Sequence, residues 1–276
     1  MSSESKTMPQ KLPFWHTVGG AYRLWAKNLP ELVRISWLWL VVMAPVLAII
    51  NWWQAPYFLE LLRSVGAHVP PPDPVFGMLV QVIDLLIMLP MLASIAVAWH
   101  RLLLRDEHVG AGTYFRLDGV VIGYAVVLFL IGLLPSVPQF LEQILEIKKS
   151  NTASGLAVVS ILLSIVSIVA ALIAARLSVI LPAKALGQEQ ITLGTVWAST
   201  SKNTWRLFGG YILTAVVVGF ATGIMMFLQS WFGSSRTTFT LVWTALTFIW
   251  VLGGMIGVGF LSLAYRHFFE PARAAR

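Results

Sequence analysis

The chain has 276 residues, of which 58% are hydrophobic and only 11% are charged. A soluble domain carries roughly 25% charged residues, so this chain has too few charged groups to cover a water-soluble globule. The net charge is +7, but the basic residues gather at the ends of apolar stretches, where anionic lipid headgroups lie, and this distribution argues against nucleic-acid binding. Cysteine is absent, which excludes disulfides, thiolate metal sites and cysteine nucleophiles.

The N-terminal region contains a polar stretch followed by an aromatic one. Residues 1–13 are predicted to form a flexible cytoplasmic tail. The next residues place aromatic side chains on one helical face and cations mostly off it, which is typical of an amphipathic helix in the inner membrane interface. Alternatively, the same aromatic residues pack against the protein's own spans. The residues that define this helix are Trp15, Tyr22, Arg23, Trp25 and Lys27.

Six long apolar stretches follow. A hydrocarbon core of about 30 Å needs roughly 20 apolar residues in a helix, and backbone groups cannot stay unpaired in lipid. We therefore predict an all-α fold, a polytopic membrane bundle of six transmembrane helices with amphipathic interfacial helices. Residues 14–270 form this single domain, and residues 271–276 form a second cytoplasmic tail. The predicted spans cover about residues 35–53, 76–103, 119–138, 156–181, 207–228 and 239–264.

The loops between these spans differ in charge. Of the 19 Lys and Arg residues, fifteen fall on the side that carries both termini and four on the other side. Because positive charge is enriched in cytoplasmic loops, both termini are predicted to be cytoplasmic. The expected location is the bacterial inner membrane, with a multi-pass topology.

An internal repeat precedes two of the odd-numbered spans. Residues 17–32 and 192–207 share Thr-x-Gly, Lys-Asn and Leu at one constant offset. Since both copies precede an odd-numbered span, they have the same orientation, as in a parallel repeat. We predict three units of interfacial helix plus transmembrane hairpin. The middle copy, expected near Val109-Gly110, is degraded, and chance similarity in a biased composition is the alternative.

Asp84 is the only acidic residue well inside a span. A carboxylate in hydrocarbon is costly and usually faces a partner, a cavity or a proton path. It therefore supports an alternative hypothesis, a small transporter or permease-like subunit. Otherwise Asp84 bonds a neighbouring helix or stays protonated.

Arg176 lies near the inner end of the fourth span, and its expected neighbours in depth are His100, Arg101 and Asp118. Its guanidinium fork suits a lipid phosphate. It can equally reach toward the interface, or pair with Asp118 and join two hairpins. We favour the structural role.

The sequence contains no recognisable catalytic constellation. None of the five histidines belongs to a His-Glu-x-x-His motif, and no Gly-x-Ser-x-Gly elbow occurs. No serine and histidine are expected to meet at one membrane depth beside an orienting acid. We therefore predict no metal, no cofactor and no enzymatic activity.

Two segments carry a resemblance to a known group. Residues 192–208, with Thr-Leu-Gly-Thr-Val-Trp and Asn-Thr-Trp-Arg-Leu-Phe, follow Arg-Leu-Ser-Val-Ile-Leu-Pro-Ala at 176–183. Together with Ala-Trp-His-Arg at 98–101, they resemble the six-helix bacterial membrane proteins related to YciC and the membrane domain fused to some glycerophosphodiester phosphodiesterases. The soluble phosphodiesterase barrel is missing. The resemblance implies the membrane fold and not the hydrolase activity.

The leading functional prediction is a non-enzymatic inner-membrane protein acting in lipid or membrane organisation. Its expected partners are membrane lipids, whose anionic headgroups meet the cationic cytoplasmic face; a protein partner is left open. A membrane enzyme ranks below the transporter hypothesis, because it needs two or three polar side chains meeting at one depth.

Overall fold

The computed structural model describes residues 11–64, 74–108, 114–147, 153–232 and 235–270. These residues are helical apart from short connections, and no strand occurs among them. The helices are α1 (Phe14–Lys27), α2 (Leu29–Ser64), α3 (Pro74–Arg105), α4 (Gly119–Ile147), α5 (Ala153–Leu177), α6 (Ile180–Ala185), α7 (Leu193–Ser199), α8 (Thr204–Phe232) and α9 (Arg236–Phe269).

Six of these helices, α2 to α5, α8 and α9, are long and apolar enough to cross a membrane, which confirms the predicted fold class of a multi-pass membrane protein. Several extend beyond the predicted spans. The helix α9 has 34 residues, about 51 Å at 1.5 Å per residue, against a hydrocarbon core of about 30 Å. Hydropathy marks only the part within lipid, whereas the helical hydrogen bonds continue into the interface.

The predicted tails need one correction. Residues 1–10 and 271–276 lie outside the described part of the chain. Leu12, expected in the flexible N-terminal tail, is fully buried. Its backbone N–H donates to Asn203 Oδ1 at 2.8 Å, and its carbonyl accepts from Arg206 at 2.5 Å. These two bonds attach the segment before α1 to the start of α8.

The six long helices form a closed ring in the order α2, α3, α4, α5, α8, α9, with α9 packed against α2. The helices α3 and α9 also pack against each other across the ring. They are the most buried spans, whereas α5 and α8 are the least buried. The α3–α9 contact therefore divides the bundle into a close-packed side, built by α2, α3 and α9, and a wider side bounded by α3, α4, α5, α8 and α9.

The sequence repeat corresponds to a structural one. The carbonyl of Asn28 accepts from the N–H of Leu32, and that of Asn203 from the N–H of Leu207, both at 2.9 Å. Leu32 and Leu207 are both fully buried. The short helix α1 packs on α9 and α7 packs on α5, so each contacts the second span of the preceding unit in the ring.

The middle unit keeps only part of this arrangement. The carbonyl of Asp118 accepts from the N–H of Ile122 at 2.9 Å, as in the other two units. Residues 106–108 and 114–117 before it are not helical. The predicted middle copy at Val109-Gly110 lies outside the described residues.

The helix α1 lies across α8 and α9. Tyr22 donates its hydroxyl to the carbonyl of Leu213 at 2.7 Å, and Trp25 donates its indole N–H to the carbonyl of Leu252 at 2.8 Å. Burial raises the pKa of Tyr22, so its phenol stays a donor. Trp15, in contrast, is 75% exposed. Two of the three predicted interfacial aromatics therefore pack against the protein's own spans, and one is left for the surrounding membrane.

Glycines allow α8 and α9 to approach closely. A Cβ on Gly210 would lie 2.1 Å from the ring of Phe260, and one on Gly253 would lie 2.6 Å from Val218. The glycine pairs of α4 and of the middle of α8 differ, because a Cβ there would meet nothing within 4 Å. These open positions are Gly119, Gly123, Gly219 and Gly223.

Candidate functional site

Both ends of the described chain lie on one side of the bundle, because the number of spans is even. This side, which we call the terminal face, consists of residues 11–13, α1, residues 101–108 and 114–118, α6, α7, residues 200–206, and the ends of α5 and α9 adjoining them. It contains the predicted residues Arg101, Asp118 and Arg176, as well as Arg23 and Lys27 of α1.

The arginines of the terminal face bond to protein groups. Each of five guanidinium groups donates to a backbone carbonyl. Four of these carbonyls lie at the C-terminal end of a helix, where they have no intrahelical partner, and that of Leu12 precedes α1. The five bonds are Arg101 to Ala185 at 2.9 Å, Arg105 to Leu186 at 3.1 Å, Arg176 to Trp197 at 2.5 Å, Arg206 to Leu12 at 2.5 Å and Arg266 to Leu103 at 2.7 Å. These bonds join α3 to α6 and to α9, and α5 to α7.

Arg176 fixes α7 to the end of α5. Its guanidinium carbon lies 3.4 Å from the centroid of the Trp197 ring, and its Nε donates to Thr200 Oγ1 at 3.3 Å. The side chain is 92% buried within the protein. Among the alternatives for Arg176, this geometry corresponds to a structural role, with α7 as its partner.

Asp118 bonds to Arg116 and not to Arg176. It also accepts the N–H of Val121 at 3.1 Å and so caps the first turn of α4. Burial opposes ionisation, but the Val121 N–H and the Arg116 guanidinium together hold the pKa of Asp118 below its usual range. The carboxylate therefore stabilises the start of the third span.

The lysines of the terminal face differ from the arginines. Lys11, Lys27, Lys184 and Lys202 make no hydrogen bond or ion pair with any part of the chain that the structure describes. Exposed indoles lie on the same face: Trp15 is 75% exposed and Trp205 is 70% exposed. Ammonium groups beside exposed Trp rings are typical of a surface at the level of lipid headgroups.

A cavity of about 590 Å³ occupies the wider side of the ring, between α3, α4, α5, α8 and α9. It follows α4 from Tyr124 to Pro135 and α9 from Trp250 to Leu261. Each stretch is about 16 Å long, or about half the hydrocarbon thickness. Leu181 of α6 lines the cavity at the end nearest the terminal face.

The polar groups of this cavity are few and lie mostly at that same end. The hydroxyl-bearing residues Tyr124, Ser178 and Tyr211 line it there. The other walls are aliphatic or aromatic apart from Thr214, whose hydroxyl donates to the carbonyl of Tyr211 at 3.0 Å. No Lys, Arg, His, Asp or Glu belongs to the described lining.

His100 lies behind Tyr124 and is fully buried. Its Nδ1 is 2.7 Å from Ser262 Oγ, and its Nε2 is 3.2 Å from the hydroxyl of Tyr124. A serine and a histidine therefore meet at one depth, whereas the prediction concerned such a pair beside an orienting acid. Among the described residues, no carboxylate bonds to His100 or Ser262. The Tyr124 hydroxyl occupies the other imidazole nitrogen, Nε2.

Two hydrogen-bond arrangements satisfy the His100 ring, because a neutral imidazole has one donor and one acceptor nitrogen. In the first, Tyr124 donates to Nε2, Nδ1–H donates to Ser262, and Ser262 donates to the carbonyl of Val258 at 3.1 Å. In the second, Ser262 donates to Nδ1 and Nε2–H donates to Tyr124. The Tyr124 hydroxyl then has its hydrogen free for a group in the cavity.

Asp84 lies away from this cavity and is not among its lining residues. Both its carboxylate oxygens are 3.4 Å from the amide nitrogen of Gln54, which is 97% buried. The pair joins α3 to α2. Of the alternatives for Asp84, the structure places it in a bond to a neighbouring helix.

The described residues contain no group of three His, Asp or Glu side chains that could hold a metal ion. The polar groups missed by sequence reasoning are Tyr124, Ser178, Tyr211 and Ser262. They are single residues in apolar runs, and only the rotation of five helices about the cavity brings them together.

Comparison with known proteins gives no match, whether against family models, curated proteins or solved structures. The resemblance to YciC-related membrane proteins therefore stays a prediction from the sequence.

Proposed function

We propose that this protein is a non-enzymatic component of the bacterial inner membrane that binds anionic lipid headgroups at its terminal face and thereby organises nearby lipid. The division between arginines and lysines carries this proposal. The arginines bond to backbone carbonyls and carboxylates, whereas Lys11, Lys27, Lys184 and Lys202 have no described protein partner. Each Lys close to an anionic membrane surface contributes about 1 kcal/mol of attraction.

The absence of an activity is part of this proposal. Ser262 is only 1% exposed, and its hydroxyl bonds to the Val258 carbonyl of its own helix. It does not line the cavity, so a molecule in the cavity meets Tyr124 and not the serine. A nucleophilic serine needs both access to substrate and a base that takes its proton.

The proposed orientation places the terminal face in the cytoplasm, because most Lys and Arg lie on this side. The chain contains no cysteine, so single-cysteine variants can be labelled without background. We expect Lys202→Cys to react with an impermeant maleimide only after spheroplasts are opened. Thr237→Cys, at the other end of the bundle, should react in intact spheroplasts. The reverse pattern would contradict the orientation.

Lipid selectivity tests the binding itself. We expect the purified protein, analysed by native mass spectrometry in an equal mixture of phosphatidylglycerol and phosphatidylethanolamine, to retain phosphatidylglycerol preferentially. Replacing Lys11, Lys27 and Lys202 by Ala should reduce this preference by about 5-fold per residue at low salt. The matched variant with Arg at all three positions keeps the charge and should keep the preference. Equal lipid selectivity in the parent protein, the Ala variant and the Arg variant would refute the proposal.

A further inference from the structure

The cavity between α3, α4, α5, α8 and α9 forms a second site, separate from the lysines of the terminal face. Its volume of about 590 Å³ lies within the roughly 300–1,000 Å³ of small-molecule sites. Its length of about 16 Å, estimated from the helical rise, corresponds to one leaflet of hydrocarbon. An elongated apolar space of this size suits a single hydrocarbon chain.

The cavity opens toward the membrane interior. Gly132, Ala215, Trp250 and Gly254 line it and are exposed. All four lie in the half away from the terminal face. Three of these residues have a small side chain or none, so the wall there leaves room for a chain to enter from the surrounding lipid. Leu181, Tyr124, Ser178 and Tyr211 lie at the other end.

The polar end of the cavity has hydroxyls but no charges. Burying an unpaired charge in such a place is costly, since no counter-ion lines it. A ligand with a carboxylate or phosphate at this end is therefore disfavoured. An uncharged oxygen group is favoured, because the hydroxyls of Tyr124 and Tyr211 can bond to it.

The bond to His100 allows the Tyr124 hydroxyl to act either as a donor or as an acceptor toward a ligand. When Nε2–H donates to the phenol, the Tyr124 hydrogen can be donated to a ligand carbonyl or hydroxyl oxygen. When Tyr124 donates to Nε2, its oxygen can accept a ligand hydroxyl. Ser262 accommodates both arrangements because the Val258 carbonyl accepts its hydrogen in the first and Nδ1 accepts it in the second.

From these observations we infer that the cavity binds an uncharged single-chain membrane lipid, with its oxygen-bearing end on Tyr124 and Tyr211 and its chain toward Trp250. This inference goes beyond the proposed headgroup binding and does not depend on it. The occupant is an intact lipid of the surrounding bilayer, and no covalent step is involved.

Three probes that share one hydrocarbon chain and differ at its end test which end group the cavity binds. Radiolabelled oleyl alcohol should bind to the full-length protein in nanodiscs saturably. Oleate, with a charged end, should compete at least about 10-fold less well at neutral pH, because its charge has no partner in the cavity. The corresponding alkene lacks the oxygen and should compete about 5-fold less well for each hydrogen bond lost.

Variants locate the binding site. At Gly132 and Gly254 a Cβ would meet nothing within 4 Å, so Leu can be introduced there without a clash at the Cβ. Both positions line the cavity at its entrance, which the two Leu side chains would narrow. Together they should reduce oleyl alcohol binding at least about 10-fold. The matched controls Gly123→Leu and Gly219→Leu are equally open and exposed but do not line the cavity, so they should bind as the parent protein does.

Replacement of Tyr124 and Tyr211 by Phe should weaken the binding of oleyl alcohol but leave the binding of the alkene unchanged. The inference fails if oleate competes as well as oleyl alcohol, or if the Leu pair at the entrance binds normally. The entrance pair leaves the His100 network intact, so it remains informative if the Tyr variants do not fold. The Lys-to-Ala variant of the terminal face should bind oleyl alcohol normally, which separates the two sites.

Discussion

Tyr22 and Trp197 occupy equivalent positions in the two copies of the repeat, and each attaches its short helix to a span by a different interaction. Tyr22 donates a hydrogen bond to the carbonyl of Leu213, whereas Trp197 lies under the guanidinium of Arg176 and accepts a hydrogen bond through its carbonyl. The repeat therefore preserves the placement of helices rather than individual contacts. Such freedom allows one surface of the bundle to change while the ring stays closed.

The Arg176–Trp197 contact should contribute measurably to stability. Trp197→Leu removes the ring from the Arg176 guanidinium, and the loss of this cation–π contact should cost about 0.5–1 kcal/mol, because Trp197 is 42% exposed. Trp205→Leu is the control, because Trp205 is 70% exposed. Thermal unfolding in detergent should show a lower midpoint for the first variant only. Equal midpoints would mean that Arg176 does not depend on Trp197.

The α8–α9 contact predicts opposite effects for two Gly-to-Ala substitutions in one helix. Gly210→Ala places a Cβ within 2.1 Å of the buried Phe260 ring, and such overpacking costs about 1–3 kcal/mol. Gly219→Ala meets nothing within 4 Å, so it should stabilise the helix by up to about 1 kcal/mol. Thermal unfolding in detergent measures both changes. A stabilised Gly210→Ala protein would show that α8 and α9 are not packed in this way.

The spans and the repeat could be predicted because their signals are local. Hydropathy over consecutive residues identifies a helix in lipid, and the Lys-Asn pair recurs at a fixed spacing before α2 and α8. The positions of Tyr22 and Trp25 remained open, because helical spacing shows which face is aromatic but not what that face contacts.

The His100 set and the cavity could not be predicted because they depend on which helices become neighbours. Ser262 meets His100 only because α3 packs on α9 across the ring, with matching rotation. The cavity depends on the same contact, because α3 and α9 form two of its five walls. In the same way, the carbonyls that accept from Arg101 and Arg176 belong to other elements, 84 and 21 residues away in the sequence. Charge alone therefore could not distinguish arginines that bond to the protein from lysines that do not.

The pH dependence of stability should reveal the Asp118 cap. Its pKa is lower in the folded protein than in the unfolded chain, so its stabilising contribution is fully present above the unfolded value of about 3.9. That contribution is lost as pH falls through the folded pKa. Asp118→Asn keeps a capping side chain but removes the charge that bonds to Arg116. The parent should be more stable than this variant near pH 7, and the difference should shrink toward about pH 3. A difference independent of pH would contradict an ionised cap.

Chemical labelling should show whether Ser262 is a nucleophile. Because its hydroxyl is buried and bonded to its own helix, we expect no reaction with a fluorophosphonate probe under conditions that label serine hydrolases. The Ser262→Ala protein provides the matched blank, and intact-mass measurement gives the readout. Labelling of the parent that disappears in Ser262→Ala would establish a reactive serine beside His100 and overturn the non-enzymatic proposal.

The Asp84–Gln54 pair should behave as a bond between helices rather than as a required charge. Asp84→Asn retains an oxygen for the Gln54 amide, so it should change stability by less than about 0.5 kcal/mol. Asp84→Leu leaves that buried amide without its acceptor and should cost about 1–3 kcal/mol. A double-mutant cycle with Gln54→Leu should return a coupling energy of about 0.5–2 kcal/mol, because most of the loss belongs to the pair. The transporter hypothesis predicts a pattern in activity instead: Asn and Leu at position 84 would abolish substrate uptake equally, since both remove the carboxylate.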